Sequence, residues 1–194
     1  MNTRNIFLTL VILFSGFSSA ILALDAAPEF KLRCLDGSEV SLSSYKGKIV
    51  IIDFWSIYCP PCREEIPGFV EIYQKLKDRG VEILGINLDR DDEKVKAFIE
   101  ANKVDYPILF STKEVLDAYG GVQAIPTTFI LDRNLKIVKK HVAFTEKSEF
   151  EKEIYEILNQ NISTVQETST EPGAATDSSE VISNGAPPPA SATE

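Results

Sequence analysis

The run Ile49-Val50-Ile51-Ile52-Asp53-Phe54 constrains this chain more than any other segment. Five of its six residues are apolar and four are β-branched, which suits a strand packed on both faces rather than one with a solvated side. A strand buried on both faces lies inside a sheet, so this one is central. Beyond it stands Cys59-Pro60-Pro61-Cys62, and then Ile66, Phe69, Tyr73 and Leu76 recur at helical spacing before Gly80. That pattern predicts a helix from Pro61 to Arg79. A buried strand therefore turns into a helix at a Cys-x-x-Cys pair.

The other segments alternate in the same way. Phe30 to Cys34 and Glu39 to Leu42 flank Asp36-Gly37, a hairpin signal. Val81 to Leu88 reads as a strand, Asp91 or Asp92 caps a helix running through Asn102, and Tyr106 to Phe110 reads as a short strand. Thr112 caps a helix ending at Gly120-Gly121. Thr127 to Leu131, a turn at Asp132-Arg133-Asn134 and Leu135 to Val142 form a second hairpin, and Thr145 to Leu158 is the last helix. Strand-helix alternation closed by a hairpin and a helix predicts an α/β fold with a mixed central sheet and helices on both faces. Residues 28–160 are enough for one core without a disulfide or a metal, so the cysteines need another explanation.

The two ends differ from this domain. Arg4, the apolar stretch Ile6 to Phe14 and the small residues through Ala20 follow signal-peptide order. Cleavage after Ala20 fits best and after Ala23 less well; Ile6 to Leu24 also approaches the length of a membrane anchor. Either reading puts the domain outside the cytoplasm. Residues 161–194 hold Ser, Thr, Ala, Pro, Gly and carboxylates without Lys, Arg, His or an aromatic residue, the composition of a disordered acidic tail. The net charge of -9, with no basic cluster, argues against nucleic acid or anionic lipid as a partner.

A Cys-x-x-Cys pair at a strand-to-helix turn suits redox chemistry. Cys59 faces unsatisfied amides and the positive end of the helix dipole, which favour thiolate. Cys62, one turn inside, is shielded and close enough to resolve a mixed disulfide. A zinc site would need two further ligands, and only Cys34 and His141 remain. A static bridge closing so short a loop would constrain the unfolded chain little.

Trp55, the Cys59/Cys62 pair, Pro67 and Ile125-Pro126-Thr127 resemble the thioredoxin superfamily. The hairpin, Tyr45-Lys46-Gly47-Lys48, Glu65-Ile66-Pro67 and the helix and strand inserted between Asp91 and Phe110 resemble its exported TlpA/ResA-like branch. The resemblance implies a thioredoxin-like fold over about residues 28–159 and a cis Pro126 beside the dithiol, with the backbone of Ile125 pairing with an extended substrate segment. It further implies that Trp55, Tyr58, Pro60 and Pro61 border the client, and that Asp53, as in thioredoxins, lies under the dithiol and exchanges protons with Cys62; relatives in this branch often have a neutral residue there, and a fold-stabilising polar contact is the plainer alternative. No cofactor is implied beyond the redox-active disulfide. The implied partners are a client disulfide protein, such as apocytochrome c before haem attachment, and a membrane electron donor of the DsbD/CcdA kind. Tyr58 departs from the pattern, which usually has Trp there.

Asp53 interrupts the most apolar strand, where an unpaired charge is costly. Glu65 falls at the edge of the inward helix face, and Glu64 points elsewhere; a solvated Glu65 is the plainer alternative. Pro60 and Pro61 lack amide protons that could have stabilised a Cys59 thiolate. These features predict a Cys59 pKa nearer the free value of about 8.5 than the ~3.5 of a strong oxidant, and hence a reductant. An oxidase or isomerase is the principal alternative. A peroxiredoxin-like peroxidase would want a threonine just before its cysteine, and a Sco-like metallochaperone would want wider spacing and a histidine ligand. Cys34 is expected to be half-buried and inert, and His141 to be a strand surface residue.

Overall fold

The computed structural model describes residues 26–166, with side chains through residue 160. The expected signal or anchor lies outside the described residues, as does the tail beyond Gln166. In chain order the elements are β1 (Lys31–Arg33), β2 (Glu39–Ser41), β3 (Ile49–Trp55), α1 (Pro60–Leu76), β4 (Val81–Asn87), α2 (Asp92–Ala101), β5 (Ile108–Phe110), α3 (Lys113–Ala118), β6 (Thr127–Leu131), β7 (Ile137–Val142) and α4 (Lys147–Gln166).

Every residue of β3 is buried, and β3 is the middle strand of a five-stranded sheet ordered β5-β4-β3-β6-β7. It runs parallel to β4 and antiparallel to β6. β4 and β5 are parallel, and β6 and β7 antiparallel. The fold is α/β and thioredoxin-like, with β1 and β2 as a separate N-terminal hairpin. The period-two alternation of a strand divides β3 between two cores. Ile49, Ile51 and Trp55 meet Ile66, Phe69 and Ile72 of α1, Val95 and Ile99 of α2, and Phe150 and Ile154 of α4. Val50, Ile52 and Phe54 meet Phe30 and Leu32 of the hairpin and Val115 and Tyr119 at α3.

Local chemistry sets the ends of the elements. Cys59 is the N-cap of α1, and Pro60 and Pro61 take the first two positions, where a missing N–H costs nothing. A 3-10 turn over Lys77–Arg79 follows α1, and Gly80 stops it at φ +82°. The Asp91 carboxylate accepts from the Lys94 amide at 3.1 Å to cap α2, and the Thr112 hydroxyl accepts from the Val115 amide at 3.3 Å to cap α3. β5 begins at Ile108 rather than Tyr106, because Pro107 has no proton to give to a ladder. β7 begins at Ile137 rather than Leu135, because the Asp132 carboxylate holds the Asn134 and Lys136 amides in a turn, at 2.8 and 2.9 Å. α4 runs past Leu158, its expected end, to Gln166, so the helical backbone includes the first residues assigned to the tail. No helix among the described residues is long and apolar enough to cross a membrane.

Candidate active site at the Cys59–Cys62 disulfide

β3 ends at Trp55, and the loop after it is anchored to the end of β4. The Asp89 carboxylate accepts from the Ser56 hydroxyl at 2.7 Å, the Ile57 amide at 2.8 Å and the Asn87 side-chain amide at 3.0 Å. The Ser56 hydroxyl in turn accepts from the Tyr58 amide at 3.1 Å, and the Cys59 amide donates to the Ser56 carbonyl at 3.1 Å. This lattice sets the position from which α1 starts. Cys59 and Cys62 are joined in a disulfide, with Cα atoms 5.3 Å apart. Cys59 is 8% exposed and Cys62 1%, so an incoming sulfur meets Cys59 first. The Cys62 amide donates to Cys59 Sγ at 3.3 Å; the two intervening residues are prolines and have no amide to add. The Ile125–Pro126 bond is cis, and the Ile125 carbonyl lies 3.5 Å from Cys59 Sγ.

Two carboxyls are buried on the α1 side of the sheet. Asp53 is 2% exposed, and its Oδ1 accepts from the Thr128 hydroxyl at 3.3 Å. Burial pushes its pKa well above the usual carboxylate range, the charge of Glu65 pushes the same way, and the Thr128 bond opposes them. Its cross-strand neighbour on β4 is Gly85, where a Cβ would stand 2.8 Å from Ile108 Cδ1 and 3.1 Å from Trp55 Nε1. Packing therefore excludes a side chain from that flank. Glu65 is also buried. Its Oε1 accepts from the Thr145 amide at 2.6 Å, while its Oε2 has no protein partner. Burial raises its pKa to about 7, against the Thr145 bond.

The raised Glu65 pKa has a measurable sign. Between its ordinary value of 4.5 and about 7, the folded protein keeps a proton that the unfolded chain has released. Stability therefore falls as pH rises through that window and levels off above it. Glu65→Gln, which still accepts from Thr145, is expected to remove this slope. It should be about 2 kcal/mol more stable than the parent at pH 8 once solvent screening is allowed for. Urea denaturation at pH 5 and pH 8 checks this, and parallel curves for the two proteins at both pH values would refute it.

The fold thus brings Cys59, Cys62, Asp53, Glu65, Pro60, Pro61, Ile125 and Pro126 to one end of the sheet. Tyr58 is 67% exposed beside Cys59, with its hydroxyl 3.5 Å from Lys94 Nζ. Trp55 corrects an expectation. It is 1% exposed and packs on Phe98 with ring centroids 5.5 Å apart, so it supports the site from the core and offers a client no surface. His141 is also less exposed than expected. Its Nε2 lies 2.7 Å from an oxygen of the buried Glu153, which also meets Lys139 at 3.2 Å. Cys34 is free and buried, in the core on the opposite face.

Ser56, Asn87, Asp89, Thr128 and Thr145 were not singled out by sequence reasoning. Asn87 and Asp89 carried one usable signal, two polar residues closing an apolar strand. Among the described residues, no group of three or more His, Cys, Asp or Glu is placed to hold a metal ion.

The sequence pattern of the AhpC/TSA family matches residues 23–140. The chain belongs to the AhpC/TSA family. Within this thioredoxin-like family it is 38% identical over 122 residues to the thiol-disulfide oxidoreductase ResA of Geobacillus thermodenitrificans, covering 62% of this chain and 70% of that one. It is 33% identical over 125 residues to ResA of Bacillus thuringiensis, covering 64% and 72%. Among solved structures, a thiol:disulfide interchange protein DsbE from Chlorobium tepidum superposes with a TM-score of 0.64 at 33% identity, over 69% of this chain and 96% of that one. This AhpC/TSA member is a thiol-disulfide oxidoreductase, and Cys59–Cys62 is its Cys-x-x-Cys disulfide.

Proposed function

We propose that the chain works as a dithiol reductase of disulfides in exported proteins, of the apocytochrome c maturation type, and that its N-terminal segment directs it out of the cytoplasm. The observation that carries the direction of electron flow is the environment of Cys59. One amide, that of Cys62, donates to its sulfur, because the two residues between the cysteines are prolines. So sparse a donor set leaves the thiolate weakly stabilised, and a weakly stabilised thiolate belongs to a reducing couple.

In the reduced protein, the Cys59 thiolate attacks one sulfur of the client disulfide. A mixed disulfide forms, and the first client thiolate leaves and takes a proton. Cys62 then gives its proton to Asp53 or Glu65 and attacks Cys59 Sγ, expelling the second client thiolate, which is protonated in turn. Two electrons and two protons pass to the client, and the protein is left with the Cys59–Cys62 bond. A membrane reductant of the DsbD/CcdA kind restores the dithiol by the same exchange in reverse. Ile125, Pro126, Tyr58, Pro60 and Pro61 border the client sulfur during the reaction.

Equilibration of the purified protein with glutathione or dithiothreitol buffers tests the direction. A reductase is expected to have a potential below about -200 mV. A value near about -120 mV would assign the chain to oxidation instead.

A further inference from the structure

Cross-strand register puts Gly85, Asp53, Thr128 and His141 in one row across β4, β3, β6 and β7. Register partners point to the same face of a sheet, so the side chains of Asp53, Thr128 and His141 share the face covered by α1 and α4. The Gly85 end of the row is closed. Ile108 and Tyr106 fill the space beside Gly85, and Trp55 Nε1, the polar atom there, has no protein partner and as a donor only can take no proton onward. The His141 end is polar throughout. Thr128, buried like Asp53, donates to it, and the Cβ atoms of cross-strand neighbours such as Thr128 and His141 lie about 5 Å apart. The His141 ring packs on Phe150 with centroids 5.2 Å apart, meets buried Glu153 through Nε2, and keeps 18% of its side chain exposed. Glu153 in turn meets Lys139, which faces solvent.

We infer that His141 is the residue through which Asp53 exchanges its proton with solvent, by way of the Thr128 hydroxyl. The inference rests on the reading above in taking Asp53 as the base for Cys62. A proton accepted from Cys62 must leave Asp53 before the next cycle, and Asp53 is almost without accessible surface. A hydroxyl both donates and accepts, so Thr128 passes a proton without holding a charge. Its Oγ1 takes the proton of Asp53 as its own O–H proton moves to the His141 ring. One carboxyl O–H bond breaks, one imidazole N–H bond forms, and Thr128 ends as it began. The imidazolium, steadied by Glu153, then gives the proton to water at its exposed edge. Imidazole suits this step because it takes up and releases protons near neutral pH. The other ionisable groups along the row are Lys139 beside Glu153, and Glu65 of α1 and Tyr106 beside Asp53. Lys140 lies on the opposite face of the sheet, over the Phe129 ring.

The test follows formation and resolution of the mixed disulfide in the full-length protein by rapid mixing and acid quench, at neutral pH and low buffer concentration. In His141→Gln, whose side-chain amide can still donate to Glu153, formation is expected to be unchanged and resolution slowed about tenfold. His141→Ala opens the half-exposed ring site, and added imidazole should restore most of its lost rate while leaving the parent unaffected. In an Asp53→Asn background His141→Gln should add no further slowing, because the two residues serve one path. Resolution that His141→Gln does not slow would overturn the inference, and with Asp53→Asn still slow it would pass the route to Glu65. So would a loss in His141→Ala that imidazole cannot reverse, the mark of a merely structural role, or slowing that adds to that of Asp53→Asn. If Asp53→Asn itself leaves resolution unchanged, Asp53 is not the base, and that reading falls together with the relay.

Discussion

A Cys62→Ser variant mixed with an oxidised client is expected to stop at a mixed disulfide on Cys59, with turnover reduced by about 10³-fold or more. The two sulfurs differ in access and in position. Cys59 caps α1 and is the more exposed of the pair, whereas Cys62 lies inside the first turn with almost no accessible surface. Attack on a client therefore falls to Cys59, and only Cys62 is close enough to release it. Serine keeps the backbone amide that donates to Cys59 Sγ, so the first step is retained while the second is lost. Cys59→Ser should lose both. Non-reducing electrophoresis and intact mass of the adduct check the pair of variants. Equal yields of client adduct from both would show that the assignment of attacking and resolving sulfurs is wrong.

Asp53→Asn is expected to slow resolution of that mixed disulfide by about 10²-fold near neutral pH and to leave its formation nearly unchanged. Asparagine has the same shape and still accepts from the Thr128 hydroxyl, so the core beneath β3 is preserved. It cannot take the proton that Cys62 must lose. The same change affects stability with a definite sign. The folded-state pKa of Asp53 is raised, so the parent loses stability as pH rises through that value. The variant carries no such charge and should be the more stable of the two in alkaline solution. Rapid mixing followed by acid quench measures the resolution rate, and thermal denaturation at two pH values measures the stability. An unchanged rate with an unchanged pH profile would remove Asp53 from the proton path.

These two expectations were legible in the sequence to different depths. The cysteine pair and its place at a strand-to-helix turn needed only local pattern, since burial of Ile49–Trp55 and the spacing of Ile66, Phe69 and Leu76 follow from neighbours along the chain. Asp53 was visible as a carboxylate in an apolar run. Its lack of a charged neighbour on β4 was not, because that depends on Gly85 and on Ile108 and Trp55 filling the space beside it. Glu65 was ambiguous for a similar reason. Helical spacing put it at the edge of the buried face, and only the return of the chain to Thr145, 80 residues later, encloses it.

What the sequence by itself determined is the chemistry: two thiols three residues apart at a helix start, no amides between them, and a carboxylate in the apolar strand that precedes them. Short-range sterics and hydrogen bonding are enough for that. The tertiary structure decided how that chemistry is surrounded. The Ile125 carbonyl reaches Cys59 across 66 residues, and Asp89 holds the Ile57 amide across 32. Trp55 is withdrawn into the core while Val142 and Phe144 remain exposed. Each of these depends on strand order and register, which set contacts between residues far apart in the chain, and no local propensity specifies them.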